Sequence, residues 1–335
     1  MITILINYDN INKEEWVALT KQSSTASPFQ TPDYYDFCQK LSFLTPFVFG
    51  VSVNNQLKGL ISGYIVAEGK GAKHWLSRRA IIHGGVLLSA DIQTSALESL
   101  LKHTVKALSY RAIYIETRNY FDYSKYREIF EQVGFKYEQH LNFRVNTPDT
   151  DTAFANLNTT KRRDVRVGFK NGAEVVTNPT QAEMSEYYSM LSDIYRKKIK
   201  LPIFPKEFFE KLIDSPLGKF FLIRFNGKIL GGSICIELKD KNLYELFVCG
   251  ADREFKNIFP STLATWAAIE YAAKKGLSYF DMMGAGRPKE EYGVRTFKEK
   301  FGGELVDYGR FSYICNPVLF QTGKIGLSLM QKLKL

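Results

Sequence analysis

Cysteine and histidine are scarce in this 335-residue chain, with four of each. Cys38, Cys235, Cys249 and Cys315 stand far apart with no CxxC spacing, and His74, His83, His103 and His140 form no HExxH or related cluster. A metal site built from these side chains is therefore not expected, and nothing calls for a cofactor. Cys235 and Cys249 fall in apolar, strand-like runs, where an inert buried thiol is the expected state rather than a nucleophile. The chain also lacks any run near the roughly 18 consecutive apolar residues that a membrane-spanning helix needs. Its first residues, Met1 to Asp9, have no basic stretch ahead of their apolar run and no small-residue cleavage site, so they read as a strand rather than a signal peptide. The expectation is a cytoplasmic protein.

What is present is ordinary globular material. Hydrophobic residues make up 45% and charged residues 24%, and the length suits two domains rather than one core. The net charge is +10, from 45 Lys and Arg against 35 Asp and Glu. Such a surplus raises the local concentration of RNA, nucleotide phosphates or anionic lipid headgroups without choosing among them, and it also serves plain solubility.

Periodicity gives a mixed α/β chain. Phe47 to Ala67 alternates around Asn54-Asn55 as a hairpin, and a strand-like stretch ends in His83-Gly84-Gly85-Val86-Leu87-Leu88. Thr94 to Leu108 carries Leu97, Leu100, Leu101, Val105 and Leu108 on one helical face. A strand over Ala112 to Glu116, a helix over Tyr126 to Val133 capped by Gly134, and a strand over Phe135 to Val145 complete the first half. The polar, proline-containing segment Pro148 to Thr152 marks a boundary, giving domains 1–148 and 149–312 with a tail 313–335. Beyond it the spacing predicts helices over Phe154 to Lys170, Gln181 to Lys197 and Lys206 to Ile213. A hairpin follows around Asn226-Gly227, then a strand Asn242 to Val248, a helix Ser261 to Lys275 and a strand Ser278 to Met282. Both halves run hairpin, strand, long helix, strand, which suggests one duplicated module.

The segment richest in chemistry begins at Phe280-Asp281-Met282-Met283-Gly284-Ala285-Gly286-Arg287-Pro288 and continues through Glu291-Tyr292-Gly293-Val294-Arg295-Thr296-Phe297-Lys298-Glu299-Lys300-Phe301-Gly302-Gly303. A strand ending in a glycine turn exposes backbone N–H groups, and Arg287, Arg295, Lys298 and Lys300 follow closely, so a phosphate or oxyanion cradle is one reading. A turn followed by a solvated basic helix is the other. Two further basic clusters stand out. Arg162, Arg166 and Lys170 share a stripe with Lys161 and Arg163 beside them, and Arg196, Lys197, Lys198 and Lys200 precede Leu201-Pro202.

The run GAGRPKEEYGVRTFKEKFGGELVDYG resembles the C-terminal signature of the FemABX aminoacyltransferases. His83-Gly84-Gly85-Val86, Gly134-Phe135 and Lys161 to Arg166 before Gly172-Ala173-Glu174-Val175 fall in the order that family shows, so the resemblance covers nearly the whole chain. It implies an α/β (α+β) fold of two tandem GNAT-like domains, each a mixed twisted sheet flanked by helices, in the short FemX-like form without an inserted helical hairpin. It implies transfer of an amino acid from aminoacyl-tRNA to the amine of a peptidoglycan precursor, with no metal and no covalent enzyme intermediate. Phe297 and Lys298 match the family's Phe-Lys pair at the acyl-donor end.

Aminolysis of an activated ester needs a neutral amine, a proton acceptor and oxyanion stabilisation rather than a nucleophile. Lys298 is the candidate for the developing charge, and Glu116, Asp281 and Glu291 are candidates for the proton. Arg162, Arg166, Arg196, Lys198, Tyr244, Gly284, Gly286 and Arg295 are candidate substrate contacts. The junction Cys249 to Ser261 lacks the Arg/Gln-x-x-Gly-x-Gly/Ala loop with which CoA-dependent GNAT enzymes cradle a pyrophosphate. The alternatives are an acyl-CoA-dependent N-acyltransferase on an amino sugar or other amine, and a non-catalytic protein that binds tRNA or a membrane. The tail from Pro317, rich in Leu and Lys and free of acids, packs on the first domain or lies on an anionic membrane surface.

Overall fold

A computed structural model describes residues 1–200, 202–290 and 293–323. Of the residues singled out above, Leu201, Glu291, Tyr292 and the tail from Lys324 onward lie outside the described residues. No helix among those described is long and apolar enough to cross a membrane.

The first half supplies strands β1 (Ile2–Leu5), β2 (Leu44–Val53), β3 (Gln56–Val66), β4 (Arg79–Gly84), β5 (Leu87–Leu88), β6 (Tyr114–Asn119) and β7 (Lys136–Glu138). Its helices are α1 (Lys13–Gln22), α2 (Pro32–Gln39), α3 (Gly71–Leu76), α4 (Thr94–Leu108) and α5 (Arg127–Val133). Asn54 and Asn55 both adopt positive φ, 49° and 63°, which turns β2 into β3 in two residues. Gly134 at φ 103° ends α5, since a left-handed cap suits a residue without Cβ. The Leu97, Leu100, Leu101 and Leu108 face of α4 packs with Phe130 of α5 onto the sheet, so the 3.6-residue spacing read from sequence is the buried stripe.

The second half supplies β8 (Leu141–Asn146), β9 (Glu174–Val176), β10 (Gly218–Phe225), β11 (Lys228–Leu238), β12 (Asn242–Gly250), β13 (Tyr279–Gly284) and β14 (Glu304–Asp307), and the last strand of the chain is β15 (Arg310–Ile314). Its helices are α6 (Thr150–Asn156), α7 (Thr159–Lys170), α8 (Gln181–Ile194), α9 (Lys206–Ile213), α10 (Pro260–Lys274) and α11 (Gly293–Glu299). The single helix expected over Phe154 to Lys170 is two, because Asn158 accepts from the Lys161 N–H at 2.8 Å and so starts α7 afresh. α10 packs Leu263, Ala264, Ala267 and Ala268 against Phe221, Leu243 and Phe280 in one core.

The chain divides into two compact units, Met1–His140 with the segment from Asp307, and Leu141–Val306. This differs from a boundary at 148 and from a tail starting at 313. The stretch Phe135 to Val145 is not one strand: β7 pairs with β15 in the first sheet, whereas β8 pairs with β13 in the second. The first sheet runs β1-β2-β3-β4-β6-β15-β7 and the second, from its other edge, β9-β10-β11-β12-β13-β8-β14. The two orders correspond position by position. Each has its parallel pair at the same place, β4 with β6 and β12 with β13, which gives the proposed duplication a topological basis. In the first unit the sixth strand, β15, comes from beyond the unit's continuous run, whereas in the second the sixth strand, β8, opens the run ahead of the other strands.

Candidate functional site

The two parallel pairs differ in one respect. β4 and β6 stay paired over six positions, from Arg79↔Tyr114 to Gly84↔Asn119. β12 and β13 are paired over three, Asn242↔Tyr279 to Tyr244↔Asp281, and then diverge. β12 follows β11 to Gly250, with a register shift that leaves Leu246 as the extra residue of a bulge. β13 turns toward β8, where Gly284 meets Asn142. The second unit's sheet is thus split on the carboxyl side of its parallel strands, where open α/β sheets place their ligands.

α11 carries Lys298 to this split. Its side chain is 6% exposed, and its ammonium donates to the carbonyls of Met282, of Gly284 at 2.9 Å and of Met283 at 3.4 Å. Met283 adopts φ 57°, a conformation a β-carbon disfavours, and the Lys298 contacts help hold it there. Burial lowers the Lys298 pKa, while the buried carboxyls of Glu245 and Asp281 pull it back up. Asp281 has no exposed surface. Its carboxylate accepts from the Met283 N–H at 2.7 Å and from Arg144 Nε at 3.4 Å, and burial raises its pKa against the opposing pull of Arg144. Arg144 also lies over the Tyr279 ring at 4.3 Å, and the Tyr279 hydroxyl is 3.0 Å from that of the buried Tyr244. Tyr244 is therefore tied into the floor of the split rather than turned outward.

The carbonyls of the glycine turn meet the cations that follow it in sequence. Arg295 donates to Ala285 O at 2.9 Å, to Pro288 O at 3.2 Å and to Arg287 O, so its guanidinium holds the turn. Gly284 supplies a carbonyl to Lys298. Gly286 sits at φ 78°, and its carbonyl accepts from the Leu141 N–H at 2.9 Å. The pair Gly302-Gly303 has a packing cause: a Cβ on Gly302 would collide with the Asn156 carbonyl, and one on Gly303 would lie 2.8 Å from that of Arg144.

Phe297 packs on Phe301 with centroids 5.1 Å apart and lies 4.3 Å from the Lys161 ammonium. Lys161, grouped by sequence in the basic cluster beside the Arg162, Arg166 and Lys170 stripe, is 7% exposed and donates to Thr262 Oγ1 at 2.6 Å. Burial brings its pKa down to about 8, against Asp164 and Asp252. Asp252 accepts from the Ser261 N–H at 3.2 Å, and Pro260 at the first turn has no N–H to offer, so a carboxylate already occupies the amino end of α10.

The other cations are less concentrated than their spacing suggested. Arg162 donates to Ala155 O at 2.5 Å and Leu157 O at 2.8 Å, closing the end of α6. Arg166 stacks on Phe154 at 5.1 Å. Both line an open groove of about 660 Å³ with Phe169 and Trp266, and Asp151 and Glu270 line it too. Arg196 pairs with Asp193 at 2.5 Å on the helical extension of α8, and Lys198 is exposed beside it. Glu116 belongs to the first unit, on β6, where its carboxylate meets Arg118 Nε at 2.8 Å and Arg310 at 3.3 Å. Burial pushes its pKa up, but the two guanidiniums together outweigh this and hold it below the ordinary range.

Sequence reasoning missed Glu245 and Arg144. Glu245 is 3% exposed, and one oxygen accepts from Ser233 at 2.9 Å and Thr265 at 3.4 Å while the other has no partner among the described residues. Burial raises its pKa, with Lys298 opposing. The signal was a lone charge inside the apolar strand Asn242-Leu243-Tyr244-Glu245-Leu246-Phe247-Val248. Among the described residues no group of His, Cys, Asp and Glu could hold a metal ion.

Residues 155–298, which contain the split strands, α10 and Lys298, match a family described as Acetyltransferase (GNAT) domain. A solved structure titled FemX matches 93% of this chain and 98% of its own length with a TM-score of 0.71 at 15% identity. The chain has the tandem GNAT acyltransferase fold of FemX. A tandem GNAT protein from the clavulanic acid biosynthesis pathway is similar over 95% of this chain and 99% of its own, with a TM-score of 0.62 at 11% identity. L-PGS from Bacillus licheniformis is similar over 97% and 98%, with a TM-score of 0.55 at 13% identity. No curated protein matches the sequence.

Proposed function

We propose that this chain transfers an amino acid from aminoacyl-tRNA to the amine of a peptidoglycan-precursor stem peptide. The observation that carries the donor assignment is the amino end of α10. A CoA thioester user needs free N–H groups and a positive helix end there for the pyrophosphate. Here Pro260 and the Asp252 carboxylate take that position, and a second anion would meet repulsion. An ester on tRNA needs no pyrophosphate cradle. The likeness in fold to FemX over nearly the whole chain supports the acceptor.

In this reading the acyl carbonyl enters the split between β12 and β13, the acceptor amine attacks it, and the tetrahedral intermediate collapses with cleavage of the ester C–O bond, the proton lost by the amine passing to the tRNA ribose oxygen that leaves. Backbone N–H groups of β12 beyond its bulge receive the oxyanion, in a field made positive by Lys298. Lys298 also fixes the turn that forms one wall. Positioning supplies much of the rate, as suits an already activated ester. Glu116 and Asp281 are each bound to arginine, and an amine that reaches the site neutral needs no strong base; Glu291, the third candidate for the proton, lies outside the described residues.

The second reading, an acyl-CoA-dependent N-acyltransferase, is favoured by the match of residues 155–298 to an acetyltransferase domain. One experiment separates the two: transfer of radiolabelled amino acid from a charged total tRNA pool to peptidoglycan precursors, beside a direct CoA-binding titration. Lys298-dependent transfer without CoA binding supports the first. Tight CoA binding with no transfer from any charged tRNA sinks it.

A further inference from the structure

Four of the ten exposed large hydrophobic side chains among the described residues gather at one end of the first unit's sheet: Trp75 (50% exposed), Leu76 (37%), Tyr110 (90%) and Val318 (74%). Topology puts them together. α3 leads into the start of β4, and the Tyr110 turn leads into the start of the parallel β6, where the Ile113 N–H donates to Arg78 O at 2.8 Å. β15 ends opposite Tyr114, and Cys315 and Asn316 both donate to Ile113 O before the helical residues 317–323 that carry Val318. All six residues of α3 are exposed, so the element contributes nothing to the core.

The charge of this end is of one sign. Lys70, Lys73, Arg78 and Arg111 lie in these loops, and the one acid in residues 67–78, 109–113 and 315–323, Glu68, is paired with Arg79 at 2.6 Å. Arg78 lies over the Trp75 ring at 5.4 Å, so cation and indole present together.

We infer that this end of the first unit is a membrane-docking surface that takes anionic phospholipid headgroups, with Trp75 and Leu76 entering the interface. Cations beside an exposed indole and aliphatic side chains are what an anionic lipid surface selects, because the headgroups neutralise the charge while the interface accepts the apolar tips. RNA would use the cations but gain nothing from Leu76 and Val318. The chain's own final residues are a poor cover for the patch, since Lys324, Lys332 and Lys334 repeat its sign and no acidic side chain follows Asp307. The inference holds whichever acyl donor the protein uses, and it favours a lipid-linked acceptor over a nucleotide-linked one.

Trp16 and Trp266 are 0% and 4% exposed, so a change in tryptophan emission on binding reports Trp75. The full-length chain is titrated with vesicles of phosphatidylcholine alone and of phosphatidylcholine mixed with phosphatidylserine, and binding is followed by emission and by co-sedimentation. The expected result is a blue shift and co-sedimentation with the anionic vesicles only. At about fivefold per cation, Lys73→Ala with Arg78→Ala weakens sedimentation roughly 25-fold. Trp75→Ser with Leu76→Ser also weakens it, with unchanged thermal unfolding because these side chains are exposed. Equal binding to both vesicles, or full binding by both double variants, overturns the inference. So does loss of binding only when Lys324, Lys332 and Lys334 are changed to Glu, or a Trp75 shift produced by tRNA and not by vesicles.

Discussion

Lys161 offers the sharpest quantitative test of the second unit's architecture. Its ammonium is held among Thr262, Phe297 and Phe301 with little solvent, and burial lowers its pKa from 10.5 to about 8. Between these values the unfolded chain binds a proton that the folded chain does not, so stability rises with pH across the window from about 8 to 10.5 and is flat below it. Lys161→Met keeps the hydrocarbon on Phe297 and removes the titration. The stability of wild type relative to this variant should rise by about 2.5 kcal/mol from pH 7 to pH 10. Urea unfolding of both proteins across that range measures it. The comparison cancels the other perturbed groups, including Lys298 and Lys241, whose pKa values burial also lowers. Parallel pH profiles for the two proteins would refute the burial argument and return Lys161 to the basic cluster around Arg162, Arg166 and Lys170.

Three further outcomes follow from the same geometry. Lys298→Met leaves three carbonyls without the Lys298 donor and removes the ammonium that pulls on Glu245 and Asp281, of which Asp281 keeps Arg144, so it should cost about 3 to 5 kcal/mol in urea unfolding and abolish transfer; a stable, active variant would remove Lys298 from the site. Glu245→Gln should be neutral or stabilising at pH 8, because burial raises the Glu245 pKa in the folded state and the charged form is the disfavoured one; marked destabilisation would mean a carboxylate is required there. Glu116 behaves oppositely. Its folded pKa is depressed, so its contribution is present above the ordinary carboxylate range and is lost as pH falls through the folded value, and Glu116→Gln should destabilise at pH 7 while narrowing the gap to wild type in acid.

Local rules account for most of what the sequence determined. The Asn54-Asn55 and Asn226-Gly227 turns, the α4 stripe and the glycine cap at Gly134 depend on neighbours within a few residues, so they are written in short windows. The order of elements carried the duplication, and one C-terminal run carried the resemblance that implied the tandem fold. Tertiary structure decided the rest. Which sheet takes β8 and which takes β15 depends on pairing between strands far apart in sequence, beyond the reach of any periodicity. The fate of each cation was equally non-local. Lys161, Arg162, Arg295 and Lys298 look alike as letters on helices, yet all four find partners inside the fold: carbonyls at a turn or a helix end take three of them, and the Thr262 hydroxyl takes Lys161. Exposure made the opposite choice for Trp75 and Leu76, apolar residues that the sheet's topology leaves outside any core.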